Sequence, residues 1–236
     1  MTTSDLAVVS GATKGLGRAI AVKLVDEGYR VIALGRTRAL LESLVDEVAD
    51  PSLLTTVIAD LTSREVLDAA IVELLAATRG EAAILVNNAA VQYFDDVESF
   101  PLDRFEETLF VNTLVPFALS QALLPEMIVA GRGTIVNVAS DLAYRPMVRG
   151  AAYVASKWGL SGMSQVFQEE VRERGIRVCV LEPGWIATGA NSDARLADGH
   201  MTPAELADVV SWMIRAPERI RVDRLTVHPM VQGTWG

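Results

Sequence analysis

One cysteine, two histidines and an aromatic content of 6% are the scarcest features of this 236-residue chain, and each scarcity removes a class of function. The lone Cys179 closes no internal disulfide, and its place in the apolar run from Ile176 to Leu181 predicts a buried thiol rather than a nucleophile. His200 and His228 fit no metal-ligand spacing, so no metal site is expected. Basic runs are missing too. With 21 Lys and Arg against 30 Asp and Glu, a net charge of −9, the chain lacks the cations that neutralise nucleic-acid phosphates. No stretch approaches the roughly 18 consecutive apolar residues of a membrane-crossing helix. Residues Met1 to Ser10 have neither the basic nor the apolar part of a secretory leader. These absences together predict a cytoplasmic protein with no nucleic-acid or membrane partner.

Half of the residues are hydrophobic, enough for one large core, and no Pro/Gly/Ser-rich linker divides residues 1–236, so a single domain is expected. Short aliphatic runs alternate with longer amphipathic ones. Strands are predicted at Leu6–Ser10, Arg30–Leu34, Leu53–Ala59, Ala83–Val86, Gly133–Ala139, Ile176–Leu181 and Arg224–Val227, and helices near 16–27, 37–49, 63–78, 102–130, 152–174 and 203–214. Most of the strands are nearly continuous in apolar character, as strands covered on both sides are. The expected fold class is therefore α/β: a Rossmann-type, doubly wound, seven-stranded parallel sheet with helices on both faces. Thr37 and Thr202 read as helix N-caps, the second followed by Pro203, while Pro116 and Pro125 predict a kink in the long fifth helix. The loop-rich stretches Val91–Pro101, Asp141–Gly150 and Gly184–Thr202 all follow strand ends, the edge at which such sheets bind ligands.

The first strand runs straight into Ser10-Gly11-Ala12-Thr13-Lys14-Gly15-Leu16-Gly17 and then a helix. Gly11 suits the tight turn, Gly15 the approach of backbone to a pyrophosphate, and Gly17 close packing of helix on sheet, with helix N–H groups and dipole facing the anion. The spacing is G-x-x-x-G-x-G, which is neither the commoner dinucleotide fingerprint nor a mononucleotide P-loop. At the end of the second strand stands Leu34-Gly35-Arg36-Thr37-Arg38, with no acid to accept from a ribose hydroxyl. A guanidinium there suits a phosphate, so Arg36, seconded by Lys14 and with Arg38 as a further cation, points to NADP(H), NAD(H) being the other possibility.

Further along come Asp60, Asn87-Asn88-Ala89-Ala90, Asn112, Ser140, Tyr153-Val-Ala-Ser-Lys157 and Pro183-Gly184. In this order, and with the glycine turn, the chain resembles the short-chain dehydrogenase/reductase family, in its smaller single-domain branch, over nearly its whole length. Ser10 stands where Thr is usual, and Ala90 where the family has Gly. The resemblance implies a cradle of Gly11, Thr13, Lys14, Gly15, Leu16 and Gly17. It sets Asp60 and Leu61 near the adenine, Asn87, Asn88 and Ala89 along the adenosine ribose, and Pro183, Gly184, Ile186 and Thr188 at the nicotinamide. Asn112, Ser140, Tyr153 and Lys157 would form a catalytic tetrad, with Tyr153 and Lys157 also touching the cofactor.

The chemistry has a reading of its own. Tyr153 and Lys157 are four apart, on one helix face, so the ammonium, with the nicotinamide's own charge in the oxidised cofactor, is expected to bring the phenol from its usual value near ~10 towards working pH. Ser140, at a strand end, is placed to hydrogen-bond the substrate oxygen, and no G-x-S-x-G surrounds it as a hydrolase nucleophile would require. For Asn112 the sequence leaves open both the family's proton-path role and a purely local one. The expected reaction is NADP(H)-dependent interconversion of a small-molecule carbonyl and a secondary alcohol, Tyr153 moving the proton; the alternative is a non-catalytic NADP(H)-binding sensor or scaffold on the same fold. Val91–Phe94, Ser140–Arg149 and Trp185–His200 would form the substrate pocket, with the loop near 184–202 too short for a deep lid. Tyr93, Phe94, Tyr144, Met147 and Trp185 would offer apolar contact, while Arg145 and Arg149 would attract an anionic substrate or simply face water. The ending Asp223–Pro229 lacks the Gly-Gly close of 3-oxoacyl-carrier-protein reductases. The resemblance also implies a homodimer or homotetramer built on the helices near 102–130 and 152–174.

Overall fold

The computed structural model describes residues 5–189 and 192–233. Seven strands, β1 Leu6–Ser10, β2 Arg30–Gly35, β3 Leu54–Ile58, β4 Ala82–Asn87, β5 Gly133–Val138, β6 Ile176–Pro183 and β7 Arg224–Val227, form one sheet in the order β3-β2-β1-β4-β5-β6-β7. Every pairing is parallel, and the order reverses beside β1 and β4, which opens a crevice at their carboxyl ends. The helices are α1 Gly15–Asp26, α2 Arg38–Glu47, α3 Arg64–Thr78, α4 Leu102–Leu109, α5 Val115–Ala130, α6 Ala151–Val171, α7 Ser192–Ala197 and α8 Pro203–Arg215.

Strand residues alternate between two core layers because successive side chains leave opposite faces of the pleat. Ala7 and Val9 join Ile20, Leu24, Leu41, Leu44, Leu206 and Val210 under α1, α2 and α8. Leu6 and Val8 instead join Leu67, Leu74, Leu119, Leu123 and Val171 under α3, α5 and α6. Between β4 and β5 the apolar pattern is interrupted. Asn87 and Asn137 lie opposite one another in the register, joined by an Asn87 Nδ2 to Asn137 Oδ1 bond of 2.8 Å, with Ser120 and Ser164 completing the buried polar group.

The long fifth helix departs from expectation in an instructive way. It does not break at its prolines; α4 passes into a π-turn, Phe110–Leu114, and then into α5, with the Val115 N–H bonded five residues back to Phe110. Pro116 has no N–H for the Asn112 carbonyl, and widening the preceding turn accommodates that loss without a break. Pro125 sits within α5. The span Leu102–Ala130 holds no unbroken apolar run, yet by length and composition it is apolar enough to cross a membrane, with a hydropathy of 1.5. Its Val115, Leu119, Leu123 and Met127 are part of the second core layer.

The cap of α8 has the expected form: Thr202 Oγ1 accepts the Glu205 N–H at 3.0 Å and the Glu205 carboxylate accepts the Thr202 N–H at 2.7 Å. Thr37 occupies the N-cap position of α2, but its side chain makes no capping bond. The stretch after β6 carries the short helix α7, which the sequence did not suggest, and a bridge between Ile186 and Met201 closes its base.

Candidate active site

The crevice holds about 850 Å³ and runs along the carboxyl edge of the sheet. At one end the glycine turn forms its floor. Gly11 and Gly15 have φ of +68° and +58°, a region that glycine enters without strain. A Cβ on Gly11 would lie 2.8 Å from the Ala89 Cα, and one on Gly17 would overlap the Asn88 amide and the Gly11 carbonyl. The turn is fixed from β4: Ser10 Oγ accepts the N–H groups of Asn88 and Ala89 at 3.0 and 3.1 Å, and Asn88 Nδ2 donates to the Ser10 and Gly11 carbonyls at 3.1 and 3.2 Å. Arg18, one turn into α1, ties this floor to α2 through Glu47 and the Leu40 carbonyl.

Thr13, Lys14, Gly15 and Leu16 line the crevice together with Arg36, Asp60 and Leu61, Thr13 packing against Gly35 at the end of β2. Among the described residues no carboxylate pairs with Lys14 or Arg36, whereas most other cations here are paired. Two neighbouring loop residues then diverge. Tyr93 lines the crevice and is drawn towards α4, its hydroxyl donating to Glu107 at 2.9 Å with the Arg104 guanidinium 5.2 Å above its ring, while Arg36 acts on it electrostatically. Phe94 turns the other way, its ring 6.1 Å from that of Tyr153. Of the two, only Phe94 is at the expected substrate side.

The same crevice is lined by Ser140, Tyr153 and Lys157 and by Pro183, Gly184, Ile186 and Thr188, the last lying beside Gly15. Ser140 caps a 3₁₀ turn, Asp141–Ala143, its Oγ accepting the Leu142 N–H at 3.2 Å, and it shares a hydrogen bond with the Tyr153 hydroxyl. Lys157 lies one turn along α6 from Tyr153, its Nζ donating to the Val138 carbonyl at 2.8 Å and resting 5.6 Å from the tyrosine ring centre. Burial pushes the Tyr153 phenol up to about 12; the Ser140 hydrogen bond works against this, and the Asp141 charge adds to it. Burial also draws the Lys157 ammonium down to about 8. In the protein alone, desolvation of both groups opposes the acidification expected from the ammonium and an oxidised cofactor together.

Of the residues that the resemblance assigns to cofactor and tetrad, three do not line the crevice. Gly17 lies behind the turn, Asn87 is in the buried pair with Asn137, and Asn112, at the π-turn, is wholly buried. The Asn112 amide accepts the Val91 N–H at 2.8 Å and donates to the Val91 carbonyl and Ser156 Oγ at 2.9 and 3.0 Å, so its side chain is fully engaged in holding a loop to α6. The two arginines left open between anion binding and solvent are both ion-paired, Arg145 with Asp141 and Arg149 with Asp95 and Asp96. Sequence gave no sign of the Val138 carbonyl, since any residue supplies one, nor of Val111 and Thr62, which also line the crevice.

Comparison with known proteins agrees with this geometry. The family model described as short chain dehydrogenase matches residues 5–198. An uncharacterised oxidoreductase of Staphylococcus aureus is 27% identical over 229 residues, spanning 97% of this chain and 98% of its own. Among solved structures, an alcohol dehydrogenase from the archaeon Thermococcus sibiricus, complexed with 5-hydroxy-NADP, superposes with a TM-score of 0.88 at 26% identity, covering 99% of this chain and 100% of that one. A metagenomic short-chain oxidoreductase in complex with NADP gives a TM-score of 0.82 at 31% identity, over 97% and 100% of the two chains. A seven-stranded parallel sheet, a glycine turn braced from β4 and a Ser140–Tyr153–Lys157 group in the same crevice thus accompany a family match over most of the sequence: the chain belongs to the short-chain dehydrogenase family of oxidoreductases.

Proposed function

We propose that the protein is an NADP(H)-dependent carbonyl reductase and secondary-alcohol dehydrogenase. The observation that carries this reading is the convergence of Ser140, Tyr153 and Lys157 on one crevice that also holds Lys14 and Arg36, two cations that no carboxylate pairs among the described residues. The cradle fits a dinucleotide: Gly11, Thr13, Lys14, Gly15 and Leu16 line the crevice where α1 begins, Gly11 and Gly15 in the left-handed region, so helix-start N–H groups can face a pyrophosphate. Lys14 and Arg36 would hold the phosphate on the adenosine ribose, and Ile186 and Thr188 would flank the other end. When bound, the cofactor supplies or accepts the hydride.

The residues of the chain handle the proton. In reduction Tyr153 donates its hydroxyl proton to the carbonyl oxygen, and Ser140 hydrogen-bonds that same oxygen as charge develops on it. Lys157, charged below about 8, stabilises the phenolate left behind. A phenol pushed up to about 12 keeps its proton at neutral pH, which favours the donor role and hence reduction. Both known NADP complexes above support the same cofactor. The exposed apolar residues Leu102 on α4, Phe117 on α5, and Trp158 and Val166 on α6 support association into a homodimer or homotetramer.

The test compares NADPH with NADH across ketones, aldehydes, hydroxy acids and their esters. Arg36→Ala should weaken NADPH binding about 10- to 100-fold and leave NADH unaffected, the loss of one charge-assisted contact. Tyr153→Phe should lower kcat by roughly 10²- to 10⁴-fold with NADPH affinity unchanged. Preference for NADH, or activity surviving in Tyr153→Phe, overturns the corresponding assignment; cofactor binding without turnover of any carbonyl would indicate a sensor.

A further inference from the structure

Next to Ser140 the chain buries a carboxylate. Asp141 is 4% exposed, and its Oδ1 accepts the Ser140 hydroxyl at 3.2 Å. Its Oδ2 is approached by three groups: the Arg145 guanidinium, the His228 Nε2 at 3.5 Å and the Gln232 Nε2 at 2.7 Å. Gln232 comes from the C-terminal tail, 91 residues away, and is itself 7% exposed. The other end of its amide is also engaged, for Oε1 accepts the Trp185 N–H at 2.9 Å. One side chain therefore joins the residue after the serine to the first residue beyond Gly184. The chain is shaped around it: a Cβ on Gly184 would overlap the Gln232 amide and lie 2.7 Å from the His228 ring.

Burying a carboxylate is unfavourable unless its hydrogen bonds are met, and packing alone would be served by an apolar residue. A carboxylate does what neither an apolar residue nor an amide does as firmly: it takes up the one proton of the neighbouring hydroxyl. With its one proton on Asp141 and one lone pair on the Leu142 N–H, the Ser140 hydroxyl is not free to donate to a Tyr153 phenolate, so Asp141 and an ionised Tyr153 compete for the same proton. Neutral Tyr153 is thus the partner that fits.

We propose that Asp141 and Gln232 are positioning residues: Asp141 orients the Ser140 hydroxyl so that Tyr153 retains its proton until a substrate oxygen arrives, and Gln232 holds that carboxylate and the Trp185 backbone in one arrangement. The proposal rests on the reading of Ser140 and Tyr153 above. The charged and titratable groups facing Asp141 are Tyr144 and Arg145 from its own turn, Tyr153 from α6, and His228 beyond β7. The nearby Glu182 is taken up by Arg224, Ser161 and Thr226. The rise that the Asp141 charge contributes at Tyr153 agrees with this direction.

The test uses the full chain with Gln232→Met, Gln232→Glu and Asp141→Asn. Amide hydrogen exchange needs no turnover. In Gln232→Met the Trp185 amide loses its acceptor, and both it and the Leu142 amide should exchange about tenfold faster or more, the equivalent of one lost hydrogen bond. Acceleration at Trp185 with Leu142 unchanged would overturn the link to the serine. In turnover, Gln232→Met should lower kcat several-fold while KM stays within about twofold, and Gln232→Glu should regain activity as pH falls from about 8 to about 6, where a protonated carboxyl again donates to Asp141. Asp141→Asn should move the alkaline limb of the pH–rate profile to lower pH. Wild-type pH profiles in both charge variants would overturn the proposal. Absence of carbonyl turnover in the wild type would instead sink the proposed function, and the exchange measurement would still decide whether Gln232 acts on the serine.

Discussion

At the glycine-turn end of the crevice the contacts that fix the geometry involve backbone: Ser10 and Asn88 hold main-chain groups of Gly11 and Ala89, and there is no room for a Cβ. At the loop end the holding contacts run between side chains of distant segments, Asp141 with Gln232, and Arg149 with Asp95 and Asp96. The first construction leaves no latitude, which suits a ligand part that is always the same. The second depends on the identity of a few residues, so it can be altered without disturbing the sheet, as a site meeting a particular substrate requires.

The contrast can be broken from the rigid side first. Gly17→Ala places a methyl against the Asn88 amide and the Gly11 carbonyl; it should cost about 1–3 kcal/mol of stability and abolish measurable NADPH binding, seen in thermal unfolding and cofactor titration. Unchanged NADPH affinity would show that the turn is more pliable than its packing implies.

A second, smaller effect belongs to α6. Lys157 titrates near 8 in the fold against an ordinary 10.5, so the unfolded chain binds more protons between those values and wild-type stability, relative to Lys157→Met, should rise as pH climbs through that window. Below about 8 the burial penalty on the ammonium is fully present and the variant should be the more stable. Denaturant unfolding at several pH values, compared between the two proteins, reads the slope; a constant difference would mean that the ammonium is not desolvated.

The smallest effect sharpens the loop end. Thr202→Ala removes the capping box of α8, at the close of the loop that begins at Gly184, and should cost about 1 kcal/mol with NADPH affinity unaltered. A matching loss of cofactor affinity would tie the two constructions together.

Much of this was legible in the sequence wherever the signal is local. The βα alternation, the glycine turn, the Thr202 cap and the i, i+4 placement of Tyr153 and Lys157 each depend on residues a few positions apart, and the structure has them on the expected elements. What was not legible depends on what the fold brings together. The direction of the Tyr153 shift follows from burial, which no spacing reveals. Pro116 announced a disturbed helix, but whether the chain breaks or widens depends on the packing of α5 against the sheet. Asp141 reads as an ordinary loop acid until Gln232 is found beside it, and the opposite turns of Tyr93 and Phe94 need the position of α4.

The asparagine pair at the centre of the sheet has a consequence for folding fidelity. Sliding β4 by one position past β5 would strand two amides among aliphatic neighbours, whereas an all-aliphatic seam would tolerate the slip at modest loss. Since Asn88 and Ser140 lie just beyond these two strands, a one-residue slip would also shift the brace of the glycine turn relative to Ser140. Two polar side chains far from any reactant thus act as an alignment key between the halves of the enzyme.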